Sequence, residues 1–472
     1  MAHTNKNSKN LMEGYPLNVK EYLSQKKKDD CVTIKTIPFA SHNIYVLYMP
    51  SITDMTKIQD SILAPLLEWN NPEDKTVEHA FSAEPLTILS QAKDMDSHLL
   101  NGYTLLLENE TVYAVETCGF HYRAVSEPVS EMTLRGARDG FIESLEANIK
   151  LLRVHLRSTH LKFEHLSLGL KAFTHVTIAY VEEEANEKLL EEVRKRVKAV
   201  KEDYLPDGGV VEQSLEKNTF TLFPELQETE RPAKVANALA EGKVAIFVEG
   251  SPSVLLAPVT LNSLFQTSDD YNFKWIPASL IRLMRFAAAF LAVMLPSIYI
   301  SLISFHHGLI PTDLAISISK TREGVPFPSF MEAFVMQLTI EILREAGIRL
   351  PKPIGPAVSI VGAIVLGEAA VTAGIVSPLM IIVVAFAAIC SFTIVDYSLS
   401  LALRTVSFVM LFAAALLGIY GLILAVFILS IHLIRLNSFT VPYLEPFAPY
   451  YPNRWKDTLI RLRFDKEGGL DE

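Results

Sequence analysis

The chain has 472 residues and a formal net charge of −10. That length exceeds the roughly 250–300 residues at which one core stops growing, so at least two domains are expected; the acidic balance argues against nucleic acid as a partner. The three cysteines, Cys31, Cys118 and Cys390, stand far apart without CxxC spacing, which offers no disulfide framework and no zinc site and fits a reducing compartment.

The N-terminal stretch has no apolar h-region, so no secretory signal is expected, and residues 1–30 read as a flexible polar arm on the cytoplasmic side. Up to about Asp270 the chain is rich in Lys, Glu and Asp; beyond Trp275 long apolar runs take over. Within the charged half, a pair of segments look alike. HNIYVLYM (His42 to Met49) predicts a strand, followed by a helix from Thr53 to about Glu68. HVTIAYVEEE (His175 to Glu184) predicts another, followed by ANEKLLEEVRKRVKAV, in which Leu189, Leu190, Val193, Val197 and Val200 share one helical face. Downstream, LLNGYTLLLENETVYAVET and LAEGKVAIFVEGSPSVLLAPVT each place a glycine, Gly102 or Gly242, before a strand, a polar turn and a second strand. The pattern implies a first α/β subdomain over 31–133 and a second, with a linking helix, over 134–275, related by duplication.

The link, Leu134 to Arg157, carries Gly136 and Gly140, a turn before a helix. Its Arg135, Arg138, Arg153 and Arg157 fit either a solvated basic helix or an anion site. VEGSPSV lacks the G-x-S-x-G of a nucleophile elbow. Gly242-Lys243 lacks the upstream glycine and the following Ser/Thr of a phosphate loop. No enzymatic activity, cofactor or metal is expected.

The apolar half reads as an all-α polytopic transmembrane domain over 276–437, with a cytoplasmic-type tail over 438–472. Ser279 to Phe305 is long enough to cross a bilayer core about 30 Å thick. Arg282 and Arg285 at its start place that end, and with it the α/β half, on the cytoplasmic side; Pro296 predicts a kink. His306 and His307 read as interfacial, without a third ligand for a metal. In MEAFVMQLTIEILREAG and the residues after it, Glu341 and Arg344 are three apart and Glu345 and Arg349 four apart, so each pair can neutralise itself on one helix face. Ile375 to Thr393 and Val409 to Leu433 predict further spans.

Between Pro356 and Ala373, Val358, Val361, Val365, Glu368 and Thr372 recur at spacings of three and four and form one stripe. Ser359, Ala363 and Gly367 form a small-xxx-small face that admits a neighbouring helix. Two readings follow. Several copies pack with the stripe inward, Val361 and Val365 gating by dewetting and Glu368 attracting cations, or Glu368 pairs with a basic residue such as Arg344 or Arg404.

The order of motifs resembles the A subunits of the GerA-type spore germinant receptors of endospore-forming bacteria. The matching stretches are RGARDGFIESLEANIKLLR, LFPELQETERPAKVANALAEGKVAIFVEGSPSVLLAPV, SLISFHHGLIPTDLAISI, PFPSFMEAFVMQLTIEILREAGIRLPKPIG and SIVGAIVLGEAAVTAGIVSP. Ala233 and Lys234 depart from the family pattern, in which Asp is common after TERP, and Glu368 stands where Gln is frequent. The resemblance implies a multi-pass protein of the spore inner membrane, contacting lipid and acting with B and C subunits of the same receptor. It also implies self-association into a ring around a path for monovalent cations. A sibling group implies an accessory spore channel without a nutrient role. A scaffold for germination proteins is the reading from another class, and a transporter using Glu341, Glu345 and Glu368 as ion sites a third.

Overall fold

The computed structural model of the protein describes residues 19–27, 32–39, 42–50, 53–68, 86–89, 92–108, 111–118, 127–128, 131, 135–349, 367–451 and 457–461. Two compact units divide the chain, Met1–Tyr122 and Arg123–Glu472.

In the first unit, α1 (Val19–Lys26) precedes β1 (Thr33–Phe39) and β2 (His42–Tyr48). A helix follows as α2 (Met55–Ile58), a π turn (Gln59–Leu63) and α3 (Ala64–Glu68), and then β3 (Thr87–Leu89), α4 (Ala92–Leu100), β4 (Tyr103–Glu108) and β5 (Thr111–Glu116). The strands make an antiparallel sheet in the order β1-β2-β4-β5-β3. Ile58, Ile62 and Leu66 of α2–α3 cover one face, together with Ile44, Val46 and Leu106. Val19, Tyr22 and Leu23 of α1 and Met95 and Leu99 of α4 cover the other. The polar arm expected over residues 1–30 therefore ends earlier than its composition suggests, because three apolar side chains on one face of α1 are drawn into the sheet's core.

The second unit opens on the same pattern. It runs α5 (Leu145–His155), β6 (Leu161–Leu168), β7 (Thr174–Val181), α6 (Glu187–Ala199), α7 (Gly208–Leu215), β8 (Gln227–Thr229), α8 (Pro232–Ala240), β9 (Val244–Val248) and β10 (Val254–Ala257). Its antiparallel sheet has the order β6-β7-β9-β10-β8, the order of the first sheet strand for strand. The stripe on α6 packs where expected: Leu189, Leu190, Val193 and Val197 are buried and Val200 leans on them. Leu145 and Leu152 of α5 and Val235 and Leu239 of α8 cover the opposite face. With helices on both faces, β9 is buried at every position, which is why it reads as an unbroken apolar run.

The repeat extends to the turns. Gly102 and Gly242 have φ of 79° and 81°, and each donates its amide to the carbonyl three residues back, Leu99 and Leu239, at 3.1 Å. These are left-handed helix ends that glycine enters without a Cβ clash. At Gly242 a Cβ would lie 2.5 Å from the Glu184 carbonyl oxygen. The linking helix is shorter than Leu134 to Arg157. It starts at Leu145, where Ser144 caps it by accepting from the Ala147 amide at 3.4 Å, and it takes the place that α1 takes in the first repeat.

Two short helices, α9 (Leu261–Phe265) and α10 (Ser268–Asn272), lead into α11 (Trp275–Ser304), α12 (Thr312–Thr321), α13 (Ser329–Arg349), a helical segment over 367–372, α14 (Pro378–Ser391) and α15 (Tyr397–Arg435). The hairpin β11 (Asn437–Ser438) and β12 (Val441–Pro442) closes the described fold. Among the described residues, α11 and α15 are long and apolar enough to cross a membrane. The expected span Ile375 to Thr393 forms α14, whose 14 residues reach about 21 Å, short of a bilayer core of about 30 Å.

The last helix is folded back on itself. A straight helix of 39 residues would separate its ends by about 58 Å. Asp396, its N-cap, nevertheless faces Gln227 and Lys234, while the Tyr443 carbonyl just beyond its C-terminus accepts from the Leu261 amide at 2.8 Å. Gln227 is paired with Leu256, so both ends return to one corner of the second sheet. The reversal is at Gly418, with φ 60° and ψ −138°, a conformation open essentially to glycine alone. A Cβ at Gly421 would lie 2.1 Å from the Ala413 carbonyl oxygen, as the returning arm presses on the outgoing one. The expected span Val409 to Leu433 thus straddles a break and does not form one straight helix.

Candidate functional site

Among the described residues, the buried and half-buried ion pairs of the helical half are gathered into three places. The first is a seam between α13, α14 and α15. Glu341 accepts from Arg344 at 3.1 Å through one oxygen and from Arg404 at 3.0 Å through the other. Arg344 also donates to the Ser391 hydroxyl at 2.9 Å and stacks 4.8 Å from the Phe392 ring; Arg404 lies 5.9 Å from the Tyr397 ring. Gln337 donates to the Ser407 hydroxyl. Gln337, Glu341, Arg344, Ser391, Arg404 and Ser407 line a cavity of about 30 Å³, the room of roughly one water molecule. One carboxylate shared by two guanidiniums leaves the seam net positive, but each charge has a partner where alone it would be costly. Glu345 and Arg349 also meet, at 2.6 Å, but on an exposed face.

The second place is the end of the bundle near Phe305. Glu332, buried to 1 % exposure, accepts from Arg322 at 3.0 Å and from the Ser377 amide at 2.8 Å. It thereby ties α13 to the entry of α14. The third place joins α11 to the α/β layer. Asp270 accepts from Arg285 at 3.1 Å and Arg282 at 3.3 Å, and Arg282 reaches Asp457 at 2.8 Å. Burial raises the Asp270 carboxyl, but hydrogen bonding and charge from Arg285 and Arg282 outweigh it and leave it below the usual carboxylate range. The two arginines expected at a membrane boundary are therefore each paired with a carboxylate as well.

Of the predicted stripe, Val358, Val361 and Val365 lie outside the described residues, as do Ser359 and Ala363. Glu368 and Thr372 are described and exposed. The Thr372 hydroxyl donates to the Glu368 carbonyl oxygen at 2.8 Å, so the two share a helical face. Glu368 has no ion-pair partner among the described residues, and the two arginines considered for it are both engaged by Glu341. A Cβ built on Gly367 meets no atom within 4 Å, so the small-residue face has no partner at this position among the described residues.

The other candidates disperse. Arg138 pairs with Glu127 at 3.3 Å and Arg153 stacks on Phe163 at 4.8 Å, so they do not converge on an anion. Lys243 borders a cavity of about 50 Å³ with Gln227, Lys234 and Tyr271. Burial holds its ammonium below the usual lysine range, against the opposing charge of Glu241. No group of His, Cys, Asp or Glu suited to a metal occurs among the described residues. Sequence reasoning found the Glu341–Arg344 and Glu345–Arg349 pairs from their spacing; it could not assign Arg404 to Glu341 or Arg285 to Asp270, since those partners come from different helices.

In the second unit an α/β sheet leads, through helices joined by buried ion pairs, into a helical half with two membrane-length helices, the build of a membrane protein with a folded domain outside the bilayer. Comparison with known proteins agrees. The family described as Bacillus/Clostridium GerA spore germination protein matches residues 18–468. Spore germination protein A1 of Bacillus subtilis is 38 % identical over 93 % of this chain and 91 % of its own length. Spore germination protein B1 of the same organism is 38 % identical over 88 % of both chains. The uncharacterized membrane protein YfkQ, also from Bacillus subtilis, is 37 % identical over 88 % of this chain and 82 % of its own. The crystal structure of the N-terminal domain of the A subunit of the Bacillus megaterium spore germinant receptor GerK3 aligns at 27 % identity over 51 % of this chain and 93 % of that one, with a TM-score of 0.22. The chain belongs to the GerA family, and its role lies in spore germination.

Proposed function

We propose that this chain is the A subunit of a nutrient germinant receptor. It sits in the spore inner membrane with its α/β half on the cytoplasmic side, acts with B and C subunits, and self-associates so that its helices enclose a path for monovalent cations. It performs no catalysis; nutrient binding elsewhere in the complex opens the path. The observation that carries this reading is the contrast in occupancy. Glu341 takes both Arg344 and Arg404, while Glu368 stands exposed on a face shared with Thr372. An acid at membrane depth needs either a counter-charge or water, and a ring of Glu368 side chains around water would attract cations.

In this scheme Val358, Val361 and Val365 continue the stripe as an apolar constriction, and Ser359, Ala363 and Gly367 face the neighbouring copy. The test is cation flux from spores carrying V361A. Leak without nutrient is expected; wild-type silence before nutrient and wild-type flux after it would remove the constriction from the scheme. The alternative reading is an accessory channel of the same family without a nutrient role. Spores that lack this chain yet germinate normally with every nutrient would select it.

A further inference from the structure

The second α/β sheet carries one aromatic side chain that no described residue covers. Phe220 is 100 % exposed and Leu222, two residues on, 49 %. Single exposed apolar residues are ordinary, but these sit on a turn held at both ends. The buried Glu225 carboxylate accepts from the Lys217 and Asn218 amides at 3.1 and 3.2 Å, and the Asn218 side chain donates to it at 2.7 Å. The turn closes with the Thr221 amide on the Asn218 carbonyl at 3.1 Å. On the other side, the Thr221 hydroxyl meets His432 of α15 at 3.0 Å, and the Phe223 ring packs 6.2 Å from that histidine and 6.1 Å from Tyr443. Phe220 is thus presented beside the returning arm of α15, whose Ile428, Ile431 and Ile434 are 60 %, 54 % and 55 % exposed.

The helix rise fixes the depth of this turn. Phe305 and His306, at the end of α11, meet the apex at Gly418. Arg282 and Arg285, tied to the α/β layer, stand roughly 29–35 Å back along α11, the thickness of a hydrocarbon core. Along the returning arm, His432 is only roughly 21 Å from the apex, below the level of those arginines. If α15 spans the membrane, the Thr221–His432 contact consequently brings the turn down to the bilayer, against the exposed apolar face of its returning arm.

We infer that the turn over 218–222 inserts Phe220 and Leu222 between the headgroups and acyl chains of the leaflet nearest the α/β layer, so that the layer is held to the membrane at a point separate from its helices. The partner is lipid; Lys217, exposed beside the turn, suits an anionic headgroup. The inference rests on the membrane reading of α15.

Depth measurement tests both readings separately. In the full chain, with Cys31, Cys118 and Cys390 replaced by alanine, an environment-sensitive fluorophore is attached to F220C, to L424C on the exposed face of α15, or to K195C on α6. The protein is reconstituted in phosphatidylglycerol and phosphatidylethanolamine vesicles carrying nitroxide on the acyl chain near the headgroup. Quenching at 220 and 424 severalfold above that at 195 is expected. Quenching at 424 with 220 equal to 195 overturns the inference alone, and 424 equal to 195 overturns the membrane reading beneath it. A blue-shifted but unquenched 220 means a protein partner covers the turn, which also overturns it. F220W in the unaltered cysteine background, read with brominated lipids, repeats the test without the alanine replacements: quenching must exceed that of the unsubstituted chain.

Discussion

Glu341 and Glu368 are both acids on apolar helices, and their surroundings differ completely. Glu341 has both oxygens occupied by arginines from its own helix and from α15. Glu368 is exposed and, among the described residues, has no ion pair. An unpaired acid at the centre of a membrane helix costs about 2.5–3.5 kcal/mol on insertion scales. The first acid offsets that cost with partners; the second has no such partner among the described residues. The difference separates an acid that holds the bundle together from the one that the proposed cation path would use.

The largest expected effect is at the paired acid. E341A leaves Arg344 and Arg404 without their carboxylate inside the bundle, and breaking such a pair costs about 3–5 kcal/mol. The unfolding midpoint of the detergent-solubilised protein should fall accordingly, and an unchanged midpoint would end the distinction between the two acids. Next comes the reversal in α15. G418A places a Cβ 2.9 Å from Phe305 and His306 side chains in a backbone conformation that resists any side chain, a loss of about 1–3 kcal/mol, read as a lower midpoint and as faster proteolysis at the apex.

A third carboxyl, outside the bundle, sharpens the comparison through pH. Burial pushes Glu212 up to about 8 from 4.5, reinforced by the charges of Glu216, Glu228 and Asp396. Because the folded state holds this proton more tightly than the unfolded chain, its contribution to stability is complete below pH 4.5 and is lost as pH rises through about 8. E212Q should therefore flatten the fall in stability across that window in pH-resolved unfolding; an unaltered slope would mean the carboxyl is ionised throughout. Smallest is E368Q. An exposed substitution of this kind changes stability by less than about 0.5 kcal/mol, so its midpoint should match the wild type while its transport does not.

Much of the α/β half is legible in the sequence because its signals are local. The apolar stripe on α6, the two hairpins and the paired Gly102 and Gly242 are set by spacing over short stretches, and all appear where expected. Helix α1 escapes notice because only Val19, Tyr22 and Leu23 mark it among polar neighbours, and their burial depends on a sheet formed later in the chain. In the helical half the i,i+3 and i,i+4 pairs are readable, whereas Arg404 reaching Glu341 across 63 positions is not. Gly418 is equally silent, since one glycine in an apolar run is compatible with a continuous helix. It becomes a reversal only because both ends of α15 bind the same corner of the second sheet.

Conduction through a Glu368 ring is tested most directly by the reversal potential of the reconstituted receptor, wild type against E368Q, under a potassium chloride gradient after nutrient addition. A cation-selective potential is expected for the wild type, a shift toward zero for E368Q, and the same thermal midpoint for both. An E368Q receptor with unaltered reversal potential and unaltered conductance would contradict the assignment of Glu368 to the cation path.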